Sequence, residues 1–347
     1  MTQSKTTIYD IAKLRGVSPG TVSAVLNGTW KQRRIGEKTA LKIQQIADEH
    51  GYTLNLQARG LRTARSGIAG FIVPVHDNRF FASMSHAFEA EARNRDLCPV
   101  IASTSRDPEQ EARTVETLIA HAIDFLFIAG ANDPNTVSAL CKSANVPYIF
   151  LDLPGENARS VVSNNYGGAE MLTRKILETM PSVEDARLAK PYYIGGGNDD
   201  YASTLRLKAF KDTVLSTGGQ LADDQILLCG YAPSHAESEI AGLCERLGGL
   251  PSGLFINSIR TFEGALSYFV NKPAHFFANT SIGVYDYDPI SAFLQFPIHM
   301  VRQDSKGLVS KAFELLDSKD ESARLIIIEP ELVAPRTIYG SFFSDIG

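Results

Sequence analysis

Two aspartates at the ends of apolar runs are the residues of this sequence with the clearest potential for chemistry. Asp152 lies at the end of PYIFLDL, and Asp286 follows SIGVY. Ligands of open α/β sheets bind beyond the carboxyl ends of the strands, where a carboxylate can accept a hydrogen bond from a ligand hydroxyl. The same pair could serve as general acid and base in an enzyme. Either aspartate could instead only cap a helix or a turn.

Two further polar residues belong to the same candidate site. Arg206 stands near the start of a predicted helix, after the loop GGGNDDYASTLR, and Ser258 ends GLFINS. The loop lacks the spacing of GxGxxG or GxxxxGK[ST], which argues against a nucleotide site. The alternative for Arg206 is a surface ion pair. Since the seven histidines and four cysteines lack metal-ligand spacing, we expect no metal and no cofactor.

Apolar runs separated by helical segments must position these residues. Four runs between 68 and 153 alternate with three helical stretches, and four runs between 191 and 287 repeat the pattern. Continuous runs of Val, Ile and Phe joined by helices are typical of parallel sheets that are buried on both faces. Residues 299–333 are expected to cross back between the two halves. The sequence therefore predicts two doubly wound α/β lobes with a cleft between them.

The start of the chain has a different pattern, that of a small all-α head. Residues 8–27 read IYDIAKLRGVSPGTVSAVLN, in which Gly16 ends a first helix, Ser18 caps a second, and Pro19 begins it. This is a helix-turn-helix pattern, although any small helical pair could carry it. Residues 37–50 predict a third helix with an apolar stripe. The stripe consists of Leu41, Ile43, Ile46 and Ala47.

Charge separates the head from the rest of the chain. Residues 1–65 hold eleven Lys and Arg against four Asp and Glu, which gives them a net charge of +7. The rest of the chain has a net charge of −12, and the two together give the overall −5. A basic head on an acidic body is expected if only the head meets phosphate. No run approaches the roughly 18 apolar residues of a membrane span, and the first residues lack a signal peptide's apolar region. We therefore expect a cytoplasmic, nucleoid-associated protein.

Head, linker and body together resemble the LacI/GalR family of bacterial transcriptional regulators. The resemblance rests on IYDIAKLRGVSPGTVSAVLNG (8–28), EKTALKIQQIADEHGY (37–52), ARGLRTARSGIAGFIVP (58–74), STLRLKAF (203–210) and GVYDYD (283–288). The insertion KQRRIGEKT (31–39) looks most like the fructose-repressor and catabolite repressor-activator branch. The family implies a periplasmic-binding-protein-like body, a homodimer on a near-palindromic operator, and a sugar or sugar-phosphate effector in the cleft. The branch suggests one similar to fructose 1-phosphate.

The same resemblance implies the domain limits and the DNA contacts. We expect a DNA-binding domain at 1–52, a hinge helix at 53–66 and a body at 67–347. Within the body, the first lobe is expected at about 67–165 and 299–326, and the second at about 166–298 and 327–347. Leu61 matches the hinge leucine that wedges into the minor groove. The expected DNA contacts are Thr7, Tyr9, Ser18, Pro19, Gly20, Thr21, Ser23, Ala24, Asn27, Arg33, Arg34, Asn55, Arg59, Leu61 and Arg62.

Effector contacts follow from the family pattern with three departures. Arg79 replaces the proline of an Asn-Pro-Phe-Phe motif and would add a cation near the cleft, or face solvent. Val75 stands where many relatives have Asp, and Leu153 where the fructose branch has Arg. The expected effector contacts are Val75, Asn78, Arg79, Phe80, Phe81, Asp152, Arg206, Ser258 and Asp286.

The function expected from these patterns is a DNA-binding transcriptional regulator, a repressor of sugar metabolism, and not an enzyme. Two other classes of protein remain as alternatives. A sugar-binding protein of periplasmic type would share the two-lobed body but not the basic head. A sugar-phosphate enzyme could use Asp152 and Asp286, but the sequence offers no nucleophile–base pair or cofactor motif.

Overall fold

The computed structural model of the protein describes residues 6–52, 65–197, 200–318 and 325–339. The chain forms two compact units, residues 1–66 and residues 67–347. The predicted hinge contacts Asn55, Arg59, Leu61 and Arg62 lie outside the described residues. No helix among the described residues is long and apolar enough to cross a membrane.

The head contains three helices, α1 (Ile8–Arg15), α2 (Pro19–Leu26) and α3 (Glu37–Glu49). Their boundaries follow from the cap residues, as predicted. Gly16 ends α1 in the left-handed conformation with φ 70°. The Ser18 hydroxyl accepts a hydrogen bond from the Thr21 N–H at 3.1 Å, and Pro19 is the first residue of α2.

The core of the head is built where the three helices meet. Ile11, Val22 and Ile43 are fully buried there. In α3 the buried residues are Ala40, Ile43 and Ala47. Leu41 is 60% exposed, so its prediction as a core residue is wrong. The neighbouring position of a helix is rotated by about 100°, and Ala40 fills the space that was expected to hold Leu41.

The first lobe alternates strands and helices in chain order. Its elements are β1 (Ile68–Val73), α4 (Arg79–Asn94), β2 (Cys98–Ser103), α5 (Pro108–Ala120), β3 (Phe125–Ala129), α6 (Pro134–Ser143), β4 (Tyr148–Leu151) and β5 (Ser160–Ser163). The second lobe repeats the arrangement. Its elements are α7 (Asn165–Thr179), β6 (Pro191–Ile194), α8 (Tyr201–Ser216), β7 (Ile226–Leu227), α9 (Pro233–Leu247), β8 (Gly253–Ile256), α10 (Ile259–Phe269), β9 (Ser281–Tyr285) and β10 (Ile298–Arg302).

The last elements return to both lobes. They are α11 (Ser305–Asp317), β11 (Leu325–Ile328) and β12 (Glu331–Val333). Among the described residues, the first sheet has the order β11-β5-β4-β3-β1-β2 and the second β12-β10-β9-β8-β6-β7. All neighbouring strands are parallel except β10 and β12. The predicted fold class of a helical head on two largely parallel α/β lobes is confirmed.

The lobe boundary near residue 299 differs from the prediction. β10 pairs in parallel with β9, Ile298 opposite Ile282, so it belongs to the second sheet and not to the first lobe. The chain enters the first lobe only after Arg302, because α11 buries Leu308 and Phe313 in the first lobe's core. Because β11 runs to Ile328, the chain leaves that lobe slightly later than the predicted residue 326.

Candidate functional site

Asp152 occupies a tight turn directly after β4. Its φ of 69° lies in the left-handed region, which aspartate tolerates better than most residues. The side chain is 8% exposed, and its carboxylate accepts no hydrogen bond from the described part of the chain. Burial raises the pKa of Asp152 to about 7, Arg206 opposes this shift, and Asp286 adds to it. A buried carboxyl without a hydrogen-bond donor is thus available to a ligand.

Asp286 takes the corresponding place after β9, with φ 79°. Its carboxylate is held from two sides, by the Gln303 side-chain amide, which donates to Oδ1 at 2.6 Å, and by the Ile259 N–H, which donates to Oδ2 at 3.5 Å. Gln303 belongs to the segment that crosses from β10 to α11. Its Oε1 atom is buried and has no partner among the described residues. The contacts of Asp286 fix its orientation, and Gln303 offers an additional acceptor.

Arg206 is the buried cation of the site. It is 4% exposed, so the alternative of a surface ion pair is wrong. Its Nε donates to Asn165 Oδ1 and its Nη1 to the Asn257 carbonyl, both at 2.8 Å. The guanidinium lies 3.7 Å from the ring centroid of Tyr285. Burial opposes the charge, but Tyr285 and Asp286 keep the pKa of Arg206 above its ordinary value.

A chain of hydroxyl and amide groups supports the wall beside Arg206. The Tyr231 hydroxyl donates to Asp200 at 3.0 Å and lies 2.8 Å from the Ser203 hydroxyl. Asn257 donates to Ser203 at 3.0 Å and accepts from Tyr193 at 2.6 Å. Because each member is oriented by its neighbours, this wall is rigid and polar.

These side chains line a cavity of about 60 Å³ beyond the carboxyl ends of both sheets. Seven of the nine predicted effector contacts line it: Asn78, Phe80, Phe81, Asp152, Arg206, Ser258 and Asp286. Two of these also have structural roles, since Asn78 caps α4 and Ser258 caps α10. Val75 and Arg79 are not among the lining residues. Val75 packs against the first lobe's core, and Arg79 borders an adjoining cavity of about 320 Å³.

Further lining residues were not in the predicted set. They are Arg106, Leu153, Asp200, Ala202, Tyr231, Arg260 and Gln303. Arg106 and Gln303 could have been found from the rule used for Asp152, because each follows the carboxyl end of a strand. Because residues from 299 onward were expected in the first lobe, Gln303 was not expected beside Asp286. Among the described residues, the full set contains three arginines and three aspartates, whose formal charges balance when all six are ionised.

The exposed side of α2 is formed by small residues. Ser18 and Gly20 are exposed, while Pro19, Thr21 and Ser23 are half-buried. The hydroxyls of Ser18 and Thr21 lie 2.9 Å apart and can bond each other. This surface therefore offers close approach and a few hydroxyls, without a long cationic side chain for bidentate contact with a base.

Larger groups surround that surface. Tyr9 is 69% exposed, and Arg33 and Arg34 are exposed in the loop before α3. Thr7 and Asn27 are already engaged within the head. The Thr7 hydroxyl donates to Asp10 at 2.6 Å, and the Asn27 amide donates to the Ser23 carbonyl at 2.7 Å. The Thr7 side chain therefore has less capacity left for a partner than Tyr9 or the two arginines have, whereas Asn27 Oδ1 is buried and has no partner among the described residues.

Ala24 is placed differently from the prediction. It is 4% exposed. The Thr29 N–H and hydroxyl donate to its carbonyl at 2.9 and 3.3 Å and so close the C-terminal end of α2. The prediction that Ala24 faces a base edge is therefore wrong.

Comparison with protein families finds matches to both parts of the chain. A model described as bacterial regulatory proteins of the lacI family matches residues 7–55, and a periplasmic binding protein domain matches residues 68–295. The ribitol operon repressor of Klebsiella aerogenes is 47% identical over 192 residues, which cover 55% of this chain and 71% of that protein. The catabolite repressor/activator of Escherichia coli K12 is 27% identical over 328 residues, or 90% of this chain and 92% of that protein.

A solved structure supports the same arrangement at the level of the fold. The lac repressor bound to ONPG in the repressed state superimposes with a TM-score of 0.79 at 19% identity, covering 96% of this chain and all of that chain. At this identity the likeness concerns architecture alone. Helical head and α/β body occur in both proteins.

Proposed function

The chain belongs to the LacI family of bacterial regulatory proteins, and we propose that it is a sequence-specific repressor whose operator affinity is controlled by an uncharged polyhydroxy effector. The effector occupies the cavity between the lobes, and the head binds operator DNA. A ligand that binds one lobe arrangement better than another shifts the population that binds DNA. The ribitol operon repressor and the catabolite repressor/activator among its relatives support a role in carbon metabolism.

The observation that carries the effector proposal is the Asp152 carboxyl. It is buried, faces the cavity, and has no hydrogen-bond donor among the described residues. An effector hydroxyl can donate a hydrogen bond to this carboxylate. Gln303 Oε1, which is buried and has no partner among the described residues, provides a second acceptor. An effector with several hydroxyl donors fits both atoms.

Charge favours an uncharged effector over a sugar phosphate such as one similar to fructose 1-phosphate. Asp152, Asp200 and Asp286 all line the cavity, and two of its three arginines already have partners, since Arg206 donates to Asn165 and Asn257 and Arg260 pairs with Glu263. A phosphate dianion beside these carboxyls would be repelled, and only the exposed Arg106 has no ion-pair or hydrogen-bond partner among the described residues to offer it. We therefore place sugars and sugar alcohols first and sugar phosphates second.

The test combines an effector screen with operator binding. An operator is selected from random duplex DNA with the full chain, and ribitol, arabinitol, fructose and fructose 1-phosphate are then compared by thermal shift and by fluorescence polarisation with that DNA. We expect an uncharged compound to raise Tm by mass action and to change operator affinity. Stronger binding of fructose 1-phosphate would contradict the uncharged effector. Failure to bind any duplex, with or without effector, would contradict the regulator.

We propose that DNA recognition combines the tip of α2 with the surrounding basic and aromatic groups. The contacts supported by exposure are Tyr9, Ser18, Gly20, Arg33 and Arg34, with Pro19, Thr21 and Ser23 at close range. Since small residues form the tip, DNA shape and deformability contribute to specificity together with direct contacts to bases.

Replacing Arg33 and Arg34 together with alanine is expected to weaken binding to operator and to unrelated duplex by similar factors. Both side chains are exposed in a loop that can follow the phosphate backbone. The plot of log affinity against log salt should become shallower by about one for each phosphate that the variant no longer neutralises. Polarisation titrations at several salt concentrations measure both quantities.

Arg113→Ala provides the control for that experiment. Arg113 is 74% exposed on α5 and lies 3.6 Å from Glu109, far in sequence from the head. Its replacement should leave affinity and salt slope unchanged. If the Arg33 and Arg34 variant bound operator more weakly but kept its binding to unrelated duplex, the two arginines would be reading bases.

We further propose that the protein acts as a cytoplasmic, nucleoid-associated homodimer and does not turn over its effector. The two relatives described above are a repressor and a repressor/activator, and the basic head is not a feature that a periplasmic sugar-binding protein needs. Light scattering at micromolar concentration tests the dimer. Recovery of the effector after prolonged incubation, followed by NMR, tests turnover, and a new product would require an enzymatic function.

A further inference from the structure

An ion pair joins the two lobes at the mouth of the cavity. Arg79 Nε lies 2.8 Å from Asp288 Oδ2, and the two side chains are 44% and 17% exposed. Arg79 is the first residue of α4 in the first lobe, and Asp288 lies two residues beyond Asp286 in the second. The pair therefore connects the two loops that supply cavity residues from opposite lobes.

Both partners are anchored in their own loops. Asn78, the residue before Arg79, accepts a hydrogen bond from the Phe80 N–H at 2.9 Å and so fixes the start of α4. Asp288 uses its second oxygen, Oδ1, to accept from the Ile290 N–H at 2.9 Å, which caps the short 3-10 helix Pro289–Phe293. Because its own loop already holds the Asp288 side chain, the ion pair loses little side-chain entropy on that side.

Two other arginines make contacts across the same mouth. Arg260 of α10 lies 2.7 Å from Glu263 in its own lobe and 3.5 Å from Asp77 in the first lobe. The Arg106 guanidinium of the first lobe lies 5.1 Å from the ring centroid of Tyr231 in the second. Cross-lobe attraction is therefore spread around the opening, and Arg79–Asp288 is the shortest of these three contacts.

We propose that Arg79 and Asp288 form a clasp that stabilises the closed arrangement of the lobes and thereby strengthens effector binding without contact to the effector. This inference rests on the proposed function in assuming that the effector binds between the lobes. When only a fraction of the molecules is competent to bind, the apparent Kd rises in inverse proportion to that fraction. Arg79 is thus a positioning residue, which agrees with its place outside the cavity.

The clasp predicts that effector affinity depends on salt concentration. Binding of an uncharged ligand through hydrogen bonds alone has little reason to depend on ionic strength, whereas an exposed ion pair is screened. We expect the Kd of ribitol, the uncharged probe, to rise between 50 and 500 mM salt in the wild type, about twofold or more. This dependence should become clearly smaller in Arg79→Gln, in which Arg260 and Asp77 remain as a cross-lobe ion pair.

Substitutions at both ends test the coupling directly. Arg79→Gln and Asp288→Asn, the latter keeping a residue that can cap Ile290, should each weaken ribitol binding about two- to fivefold. The double variant should be no weaker than either single variant. Additive effects of the two single substitutions would overturn the clasp.

Hydrogen exchange of the effector-free protein tests the clasp independently of the proposed effector. Arg79→Gln should speed exchange in peptides covering 78–82 and 286–293, on both sides of the mouth, compared with the wild type. Arg93→Gln is the matched control, because Arg93 pairs with Glu89 at 2.9 Å within the same helix and crosses no lobe boundary. Unchanged exchange in Arg79→Gln overturns the clasp whatever the ligand. Faster exchange with no ribitol binding supports the clasp and contradicts ribitol as a ligand.

Discussion

Replacing Arg206 with methionine is expected to weaken effector binding at least about a hundredfold, or about 2.7 kcal/mol. Methionine fills much of the space of the arginine side chain but carries no charge. Arg206 is the only buried cation among the described residues of the cavity. Asp152 and Asp286, whose like charges oppose each other, would then lose the cation that offsets them. Asn165 Oδ1 and the Asn257 carbonyl would be left without their donors. Because removing one partner of a buried charged network costs about 3–5 kcal/mol, the variant should also be less stable.

A second variant distinguishes weaker effector binding from a damaged fold. Arg206→Lys keeps the charge but lacks the planar fork that reaches Asn165 and Asn257 together, so we expect an intermediate weakening of about tenfold. Arg174→Met, which removes an exposed ion pair with Glu170, is the control. Calorimetric titration with the effector gives the affinities, and operator binding without effector reports an intact head. Wild-type effector affinity in Arg206→Met would remove Arg206 from the site.

The parts of the structure that sequence predicted well are those determined by local residues. Gly16, Ser18 and Pro19 set the end of α1 and the start of α2 because capping depends on neighbouring backbone groups. The buried strands of both lobes are continuous apolar runs. By contrast, β5 was missed because SVVS is short and has a serine at each end. The following helix α7 was missed because its first turn contains Gly167 and Gly168.

The residues placed differently from the prediction depend on distant contacts. Ala24 is buried in the packed head, and its residue type alone does not signal which way it faces. Arg79 finds its partner 209 positions later in the chain, and Gln303 meets Asp286 only because β10 joins the second sheet. A family motif predicts that position 79 is near the cleft, but only the packed lobes show which side chain it faces.

Replacing Asp152 with asparagine is expected to stabilise the effector-free protein at pH 8 while weakening effector binding. The pKa of Asp152 is raised to about 7 from an ordinary value of 3.8, with burial as the main cause. Between these two values the unfolded chain has released the proton and the folded chain retains it. The wild type therefore loses stability as pH rises from about 4 to about 7. The full pKa shift corresponds to roughly 4 kcal/mol in the free energy of unfolding. Because the cavity admits some solvent, we expect an effect of about 1–3 kcal/mol.

Asparagine removes this pH-dependent destabilisation because it does not titrate, so the variant should have the higher Tm at pH 8 and the smaller change of Tm between pH 5 and 8.

Effector binding should respond to the same substitution in the opposite way. A hydroxyl that donates to Asp152 favours its ionised form, so wild-type affinity should rise from pH 6 to pH 8, whereas that of Asp152→Asn should be about tenfold weaker and independent of pH. Asp96→Asn is the matched control, since Asp96 also has a positive φ, 56°, but is exposed. A lower Tm of Asp152→Asn at pH 8 would mean that the carboxylate stabilises the fold, and the role of Asp152 as an acceptor reserved for the effector would be wrong.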